Sequence, residues 1–173
     1  MKIFISISLV IVLLNLTACS SQLTSKNANN KSIPTITDID LQYASQKARQ
    51  KNKNLMIVYQ NDNCSSCKQW LANLIDKQQT DKILQHFEIK SVSLQKGIDV
   101  ICPSGIELDN EEFFEAKGIE GDLSIVFHND IGEVIFTYNE QPNNAELKKL
   151  LHYIKLKKYQ EDIEYDDWHY QQS

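Results

Sequence analysis

LMIVYQNDNCSSCKQW, residues Leu55 to Trp70, is an apolar run, a short polar break, two cysteines separated by two residues, and a continuation at helical spacing. A run of this length rich in β-branched and aromatic residues reads as a buried strand over Leu55 to Gln60. Cys64 then opens a helix, with Cys67 about one turn further on. Unpaired backbone N–H groups and the positive end of the helix dipole stabilise a thiolate at Cys64, below the free thiol value of about 8.5. Cys64 is the expected attacking thiol. Cys67 is near enough to close a disulfide and expel a mixed-disulfide partner, so it is the expected resolving thiol.

A CxxC pair also makes half of a zinc site or an inert staple. Structural zinc takes four Cys or His ligands, commonly as two close pairs, and the chain holds no second pair. The strand-to-helix setting favours redox chemistry over both alternatives.

Toward the N-terminus, Met1 and Lys2 precede an apolar core from Ile3 to Leu14, and Leu16-Thr17-Ala18-Cys19 closes it. This is the pattern of a secretory signal, residues 1–18, too short to serve as a spanning helix. LTAC resembles a bacterial lipobox, which makes Cys19 the expected lipidated N-terminus. Ser20 follows it, and by resemblance to Gram-negative lipoproteins this implies the periplasmic face of the outer membrane rather than the inner membrane. The acyl chains would supply the anchor.

The chain carries 18 Lys and Arg against 23 Asp and Glu. Loss of residues 1–18 removes only Lys2, leaving 17 against 23 and a net charge of −6. No basic cluster is interleaved with aromatics, so nucleic acid is not an expected partner. The remaining length, about 150 residues, suits one domain. Cys64, Cys67 and Cys102 would remain in an oxidising compartment, an odd number, so one should be free, transiently paired or metal-bound.

Residues 19–36 read as a flexible Ser/Asn/Gln/Lys tether. Thr37 and Asp38 are expected to cap a helix from Ile39 to Gln50, with Ile39, Leu41, Tyr43, Ala44 and Ala48 apolar. Trp70, Leu71, Leu74 and Ile75 continue the Cys64 helix and read as core. A short helix from Thr80 to His86 precedes a strand over Phe87 to Leu94. Gln95 to Glu107 is expected to be a loop carrying Cys102. Asp109 caps a helix through Lys117, which Gly118 stops. Leu123 to His128 and Glu133 to Tyr138 form a hairpin about Asn129-Asp130-Ile131-Gly132. Asn143 or Asn144 opens a last helix through Leu156, using Leu147, Leu150, Leu151 and Ile154. Residues 157–173 form an acidic, aromatic tail, read as a solvated extension rather than a partner-docking segment.

From Thr37 to Leu156 (residues 37–156) the chain resembles a thioredoxin-like domain of the exported type. The residues that carry the resemblance are KNKNLMIVY, CSSCKQW, and GIEG before the hairpin SIVFHNDIGEVIF. It implies an α/β fold with a central mixed β-sheet flanked by helices. It also implies thiol–disulfide exchange with Cys64 as nucleophile and Cys67 as resolving thiol. Three positions depart from the pattern. Leu123 stands where the family has a cis-proline that helps dock the partner chain, so Leu123 is the substrate-docking position, and the bond before it is expected to be trans. Val58 stands in place of a buried acid. The residues between the cysteines are Ser65-Ser66, with Asn63 before them in place of the usual Trp.

Together these features describe a lipid-anchored periplasmic thiol–disulfide oxidoreductase acting on cysteines of exported proteins. A membrane redox partner would reset the dithiol, and no organic cofactor is implied. Two other classes stay open: a Cu(I) or Zn metallochaperone, and a non-catalytic assembly lipoprotein. The metallochaperone would use Cys64 and Cys67 with Cys102 or His128. Cys102 is either a third thiol that swings to the dithiol or a single loop thiol, the plainer reading. His86 and His152 fall on helices and carry no assignment.

Overall fold

The computed structural model describes residues 35–36, 39–94, 99–161 and 163–171. The signal segment, Cys19, residues 19–34 and the Thr37–Asp38 cap lie outside the described residues. Among the described residues no helix is long and apolar enough to cross a membrane.

In chain order the elements are β1 (Thr35–Ile36), β2 (Ile39–Asp40), α1 (Leu41–Gln50), β3 (Asn54–Gln60) and α2 (Ser65–Gln78). Then come β4 (Phe87–Ser93), β5 (Asp99–Ile101), β6 (Glu107–Asp109), α3 (Asn110–Lys117), β7 (Leu123–His128), β8 (Val134–Tyr138), α4 (Asn144–Lys155) and α5 (Tyr165–Gln171). The main sheet has the order β1-β4-β3-β7-β8. β3 runs parallel to β4 and antiparallel to β7, so the sheet is mixed.

β3 is the central strand because its residues are apolar on both faces. Leu55 to Tyr59 are each no more than 1% exposed. Met56 and Val58 point into one core with Leu71 and Leu74 of α2, Leu150 and Leu151 of α4, and Phe127 of β7. Leu55, Ile57 and Tyr59 point into the other, with Leu41, Ala44 and Ala48 of α1 and Phe113 of α3. The period of two along the strand thus divides the molecule into layers, α2 and α4 over one face and α1 and α3 over the other.

The local signals held where short-range chemistry controls them. Asp109 caps α3 by accepting from Glu112 N at 2.9 Å. Gly118 ends α3 in the left-handed conformation (φ 63°), which favours glycine. Asn143 and Glu146 form a reciprocal capping box on α4. Gly132 closes the β7–β8 turn at φ 97° and packs so closely on α1 that a Cβ there would lie 2.7 Å from Leu41 O. Glycine is required at that position twice over.

Three expectations need correction. α1 begins at Leu41 rather than Ile39, because the Asp40 carboxylate accepts from Tyr43 N at 2.7 Å and takes the cap position. Ile39 belongs instead to β2, while Tyr43, expected to be apolar-facing, is 58% exposed and Ser45 takes its share of the buried face. Residues 95–107 are not all loop: β5 and β6 pair antiparallel, and β5 pairs parallel with β2, giving a second, three-stranded sheet. Residues 95–98 lie outside the described set.

The third correction concerns residues 157–173. Instead of being solvated, part of the tail forms α5, whose Tyr165 and Trp168 are 8% and 6% exposed. Spaced three apart, they face the same way and meet an aromatic cluster. Tyr165 lies 5.5 Å from Phe136, 5.4 Å from Tyr153 and 6.2 Å from Tyr138 between ring centroids. Trp168 lies 5.8 Å from Tyr153. The Tyr153 hydroxyl donates to Ile163 O at 2.9 Å and holds the approach to the helix. Acidic composition marked the tail as solvated; three aromatic partners on distant elements override it.

Candidate functional site

Cys64 and Cys67 are joined by a disulfide, with Cα atoms 5.3 Å apart. Cys64 is the N-cap of α2, in an extended conformation, and its Sγ accepts from Cys67 N at 3.2 Å. The same N–H would meet a Cys64 thiolate after reduction, which is the electrostatic bias expected at a helix start. A disulfide sulfur carries no hydrogen, so the Ser66 hydroxyl, 3.3 Å from Cys64 Sγ, is the donor there. Ser66 therefore adds a second donor to the sulfur, a role the sequence reading did not assign.

Access separates the two sulfurs. Cys64 is half-buried, whereas Cys67 is 3% exposed and belongs to the core shared by α2 and α4. An incoming partner reaches Cys64 first. The wall beside Cys67 is the entry to β7, where Asp122 O lies 3.5 Å from Cys67 Sγ. Asn61 fastens that entry to the loop before Cys64: its N–H donates to Asp122 O at 2.8 Å and its side-chain amide to Asp122 Oδ1 at 2.9 Å. Asn61 Oδ1 also accepts from Asn63 N at 3.0 Å, shaping the turn into the helix. On the far side of α2, Trp70 Nε1 donates to Pro142 O at 3.0 Å.

Leu123 follows Asp122, and no cis peptide bond occurs among the described residues. Leu123 is 3% exposed and pairs with Gln60 in the sheet, so its side chain faces core rather than an incoming chain. The exposed residues at this wall are Gly121 and Asp122. Asn61 stands out in the sequence only as a polar neighbour of the cysteines and Asp122 not at all, because their meeting depends on the β3–β7 register.

Cys102 and His128 are not brought to the dithiol. Cys102, a free cysteine, packs against the core on the α1 and α3 face, opposite the face that holds Cys67. It lies near Tyr59, whose phenol pKa is pushed up by burial, with the Cys102 charge adding to it. Cys102 and the dithiol thus belong to cores on opposite faces of the main sheet. His128 ends β7 opposite Leu55, at the other end of the strand pair from Gln60 and Leu123. Among the described residues no group of three or more His, Cys, Asp or Glu side chains is placed to hold a metal ion.

His128 has a consequence for stability. It is 2% exposed, and burial is the main cause that lowers its pKa from 6.5 to about 4. The unfolded chain takes a proton below its ordinary value that the folded chain refuses, so stability falls as pH falls from 6.5 toward 4 and levels off below. The difference corresponds to about 3 kcal/mol. Urea unfolding at pH 7 and pH 4 should show His128→Gln losing about 3 kcal/mol less than the parent over this interval. Equal losses would mean that His128 titrates normally in the folded state.

No protein-family model matches the chain. No curated protein matches it either. Among solved structures it is similar to a thioredoxin-fold protein from Helicobacter pylori, at 18% identity and a TM-score of 0.52, covering 69% of this chain and 80% of that one. It is also similar to thioredoxin f2 of Chlamydomonas reinhardtii, at 13% identity and a TM-score of 0.45, covering 70% of this chain and 94% of that one. Mitochondrial thioredoxin 3 of Saccharomyces cerevisiae aligns at 16% identity and a TM-score of 0.44, over 68% of this chain and 93% of that one. The likeness to the Helicobacter protein shows the fold.

Proposed function

From a chain with the thioredoxin fold and a Cys64–Cys67 pair at the start of α2, we propose a thiol–disulfide oxidoreductase that acts on cysteines of exported proteins. The observation that carries this reading is the unequal exposure of the two joined sulfurs, Cys64 reachable at the helix cap and Cys67 at 3% exposure behind it. Fold alone would not suffice, since one scaffold hosts many activities.

In the reducing direction, the Cys64 thiolate attacks one sulfur of a partner disulfide. A Cys64–partner bond forms and the partner's other sulfur leaves as thiolate. Cys67 loses its proton and attacks Cys64 Sγ, closing the Cys64–Cys67 disulfide and releasing the second partner thiolate. The partner gains two electrons and the pair loses two. The oxidising direction is the reverse. The partner chain would dock along the Gly121–Asp122 wall, with Leu123 holding that wall from below. A membrane redox partner would reset the pair, and a lipid on Cys19 would keep the protein at the periplasmic face of the outer membrane.

The test is the reduction potential of the pair, measured on the full chain in mild detergent by equilibration in glutathione or dithiothreitol buffers and thiol trapping. A two-electron couple between about −120 and −270 mV is expected, the range of exchange proteins. A value below about −300 mV would indicate a structural staple and overturn the proposal. Radiolabelled palmitate incorporation lost in Cys19→Ser would support the anchor, and incorporation unchanged by that substitution would remove it.

A further inference from the structure

The β3 end remote from the dithiol carries a second polar site. Between α1, the turn into β3 and the β7–β8 turn lies a cavity of about 190 Å³ lined by Ser45, Arg49, Lys53, His128, Asn129 and Asp130 among others. β3 leads from this cavity toward the dithiol loop, which puts the two sites about 20 Å apart at 3.3 Å per residue. Nothing in the exchange chemistry uses it.

Two of its lining residues each carry an unpartnered polar atom. Ser45 is 1% exposed and His128 2% exposed, and among the described residues Ser45 Oγ and His128 Nε2 have no hydrogen-bond partner. Buried polar atoms in folded proteins are nearly always paired, because leaving one unmet is costly. Here two occur on one cavity. The imidazole tautomer is set as well. His128 Nδ1 lies 3.0 Å from Gly132 O, which can only accept, so Nδ1 carries the hydrogen. In the neutral ring Nε2 is then an acceptor in want of a donor. Ser45 offers a hydroxyl that can give or take.

The rim has a different character. Arg49 and Lys53 supply cationic groups, and Arg49 meets Asp130 at 3.5 Å with side chains 68% and 62% exposed. So loose a pair opens readily, because exposed ion pairs contribute little. Released from Asp130, the guanidinium would be free to fold over an anion.

We propose that this cavity binds a small carboxylate carrying a hydroxyl or ammonium group on the neighbouring carbon. The ligand's hydroxyl or ammonium donates to His128 Nε2, Ser45 Oγ–H donates to a ligand oxygen, and the carboxylate lies between Arg49 and Lys53. The volume suits an amino acid or a hydroxy acid and is below the range of drug-sized pockets. A water molecule would meet Ser45 and His128 alone, whereas a carboxylate can also replace Asp130 as the partner of Arg49, since that exposed pair contributes little.

The experiment is a titration of the full chain, ¹⁵N-labelled at histidine and held in mild detergent, with lactate, with serine, and with acetate, which lacks the donor. Lactate or serine should move the His128 Nε2 resonance saturably at millimolar concentration, and acetate should bind about ten-fold more weakly, the value of one hydrogen bond. Arg49→Gln should weaken lactate binding by about ten-fold with an unchanged melting midpoint, and Ser45→Ala by several-fold. The proposal is overturned if no probe produces a saturable shift. It is equally overturned if acetate and lactate bind alike and Arg49→Gln alters neither, which would leave the cavity to water. Neither outcome bears on the Cys64–Cys67 potential.

Discussion

Replacing Cys64 by Ser is expected to reduce exchange with a disulfide-containing protein substrate by on the order of a thousand-fold or more, the scale on which covalent catalysis fails when its nucleophile is removed. The geometry makes the loss this severe because Cys67 cannot substitute. It is 3% exposed, and Asp122 O stands 3.5 Å from its sulfur. A disulfide must be approached along its S–S axis, and only the Cys64 side is open. Cys67→Ser should behave differently: Cys64 still attacks, resolution fails, and mixed disulfides accumulate. Insulin reduction followed by turbidity, together with non-reducing electrophoresis of the two variants, measures both outcomes. Comparable residual activity in the two would mean that the cysteines do not have distinct roles. Unimpaired activity in both would assign the exchange to another thiol, with Cys102 the remaining one after Cys19.

The second large effect lies far from the chemistry. Trp168→Ala should cost about 3–5 kcal/mol, the range for truncating a buried large aromatic. The melting midpoint of a domain this size should fall by on the order of 10 °C. Trp168 covers Tyr153 of α4, and Tyr165, one turn earlier, sits among Phe136, Tyr138 and Tyr153. Burial and the charges around it raise the Tyr165 phenol to about 12, so the ring stays neutral across the physiological range. The adjoining Asp166 and Asp167 remain at the surface. Tyr170, 78% exposed, supplies the control: Tyr170→Ala should change stability by no more than about 0.5 kcal/mol. A Trp168→Ala variant as stable as that control would show that α5 is undocked in solution.

These predictions divide along the line between local and non-local information. β3 was readable because five consecutive large apolar residues need cover on both faces. α2 was readable because its capping sulfur, its first turn and its Leu71–Leu74 face lie within a few residues of one another. The caps at Asp109 and Asn143 and the turn glycines Gly118 and Gly132 are likewise short-range chemistry, and the structure has them where the residues indicate. The start of α1 was misplaced by two residues because Thr37, Asp38 and Asp40 can all cap a helix, and the choice falls to whichever chain path lets Ile39 pair with Val100. Strands of two and three residues such as β2, β5 and β6 have no periodicity to read.

By itself the sequence determined the dithiol, its order along the helix, the central strand and the alternation of elements that makes a mixed sheet with helices on both faces. Each of these follows from residues within one helical turn or one strand, where backbone geometry translates spacing directly into position. Only the tertiary structure decided that Asp122 walls the dithiol and that Cys102 and His128 stand apart from it. It alone joined Ser45 to His128 on one cavity and laid Tyr165 and Trp168 on α4 and β8. Those placements depend on strand register and on which face of the sheet each segment returns to. Both are set by burying the whole apolar surface at once, and no short stretch of the chain contains that information.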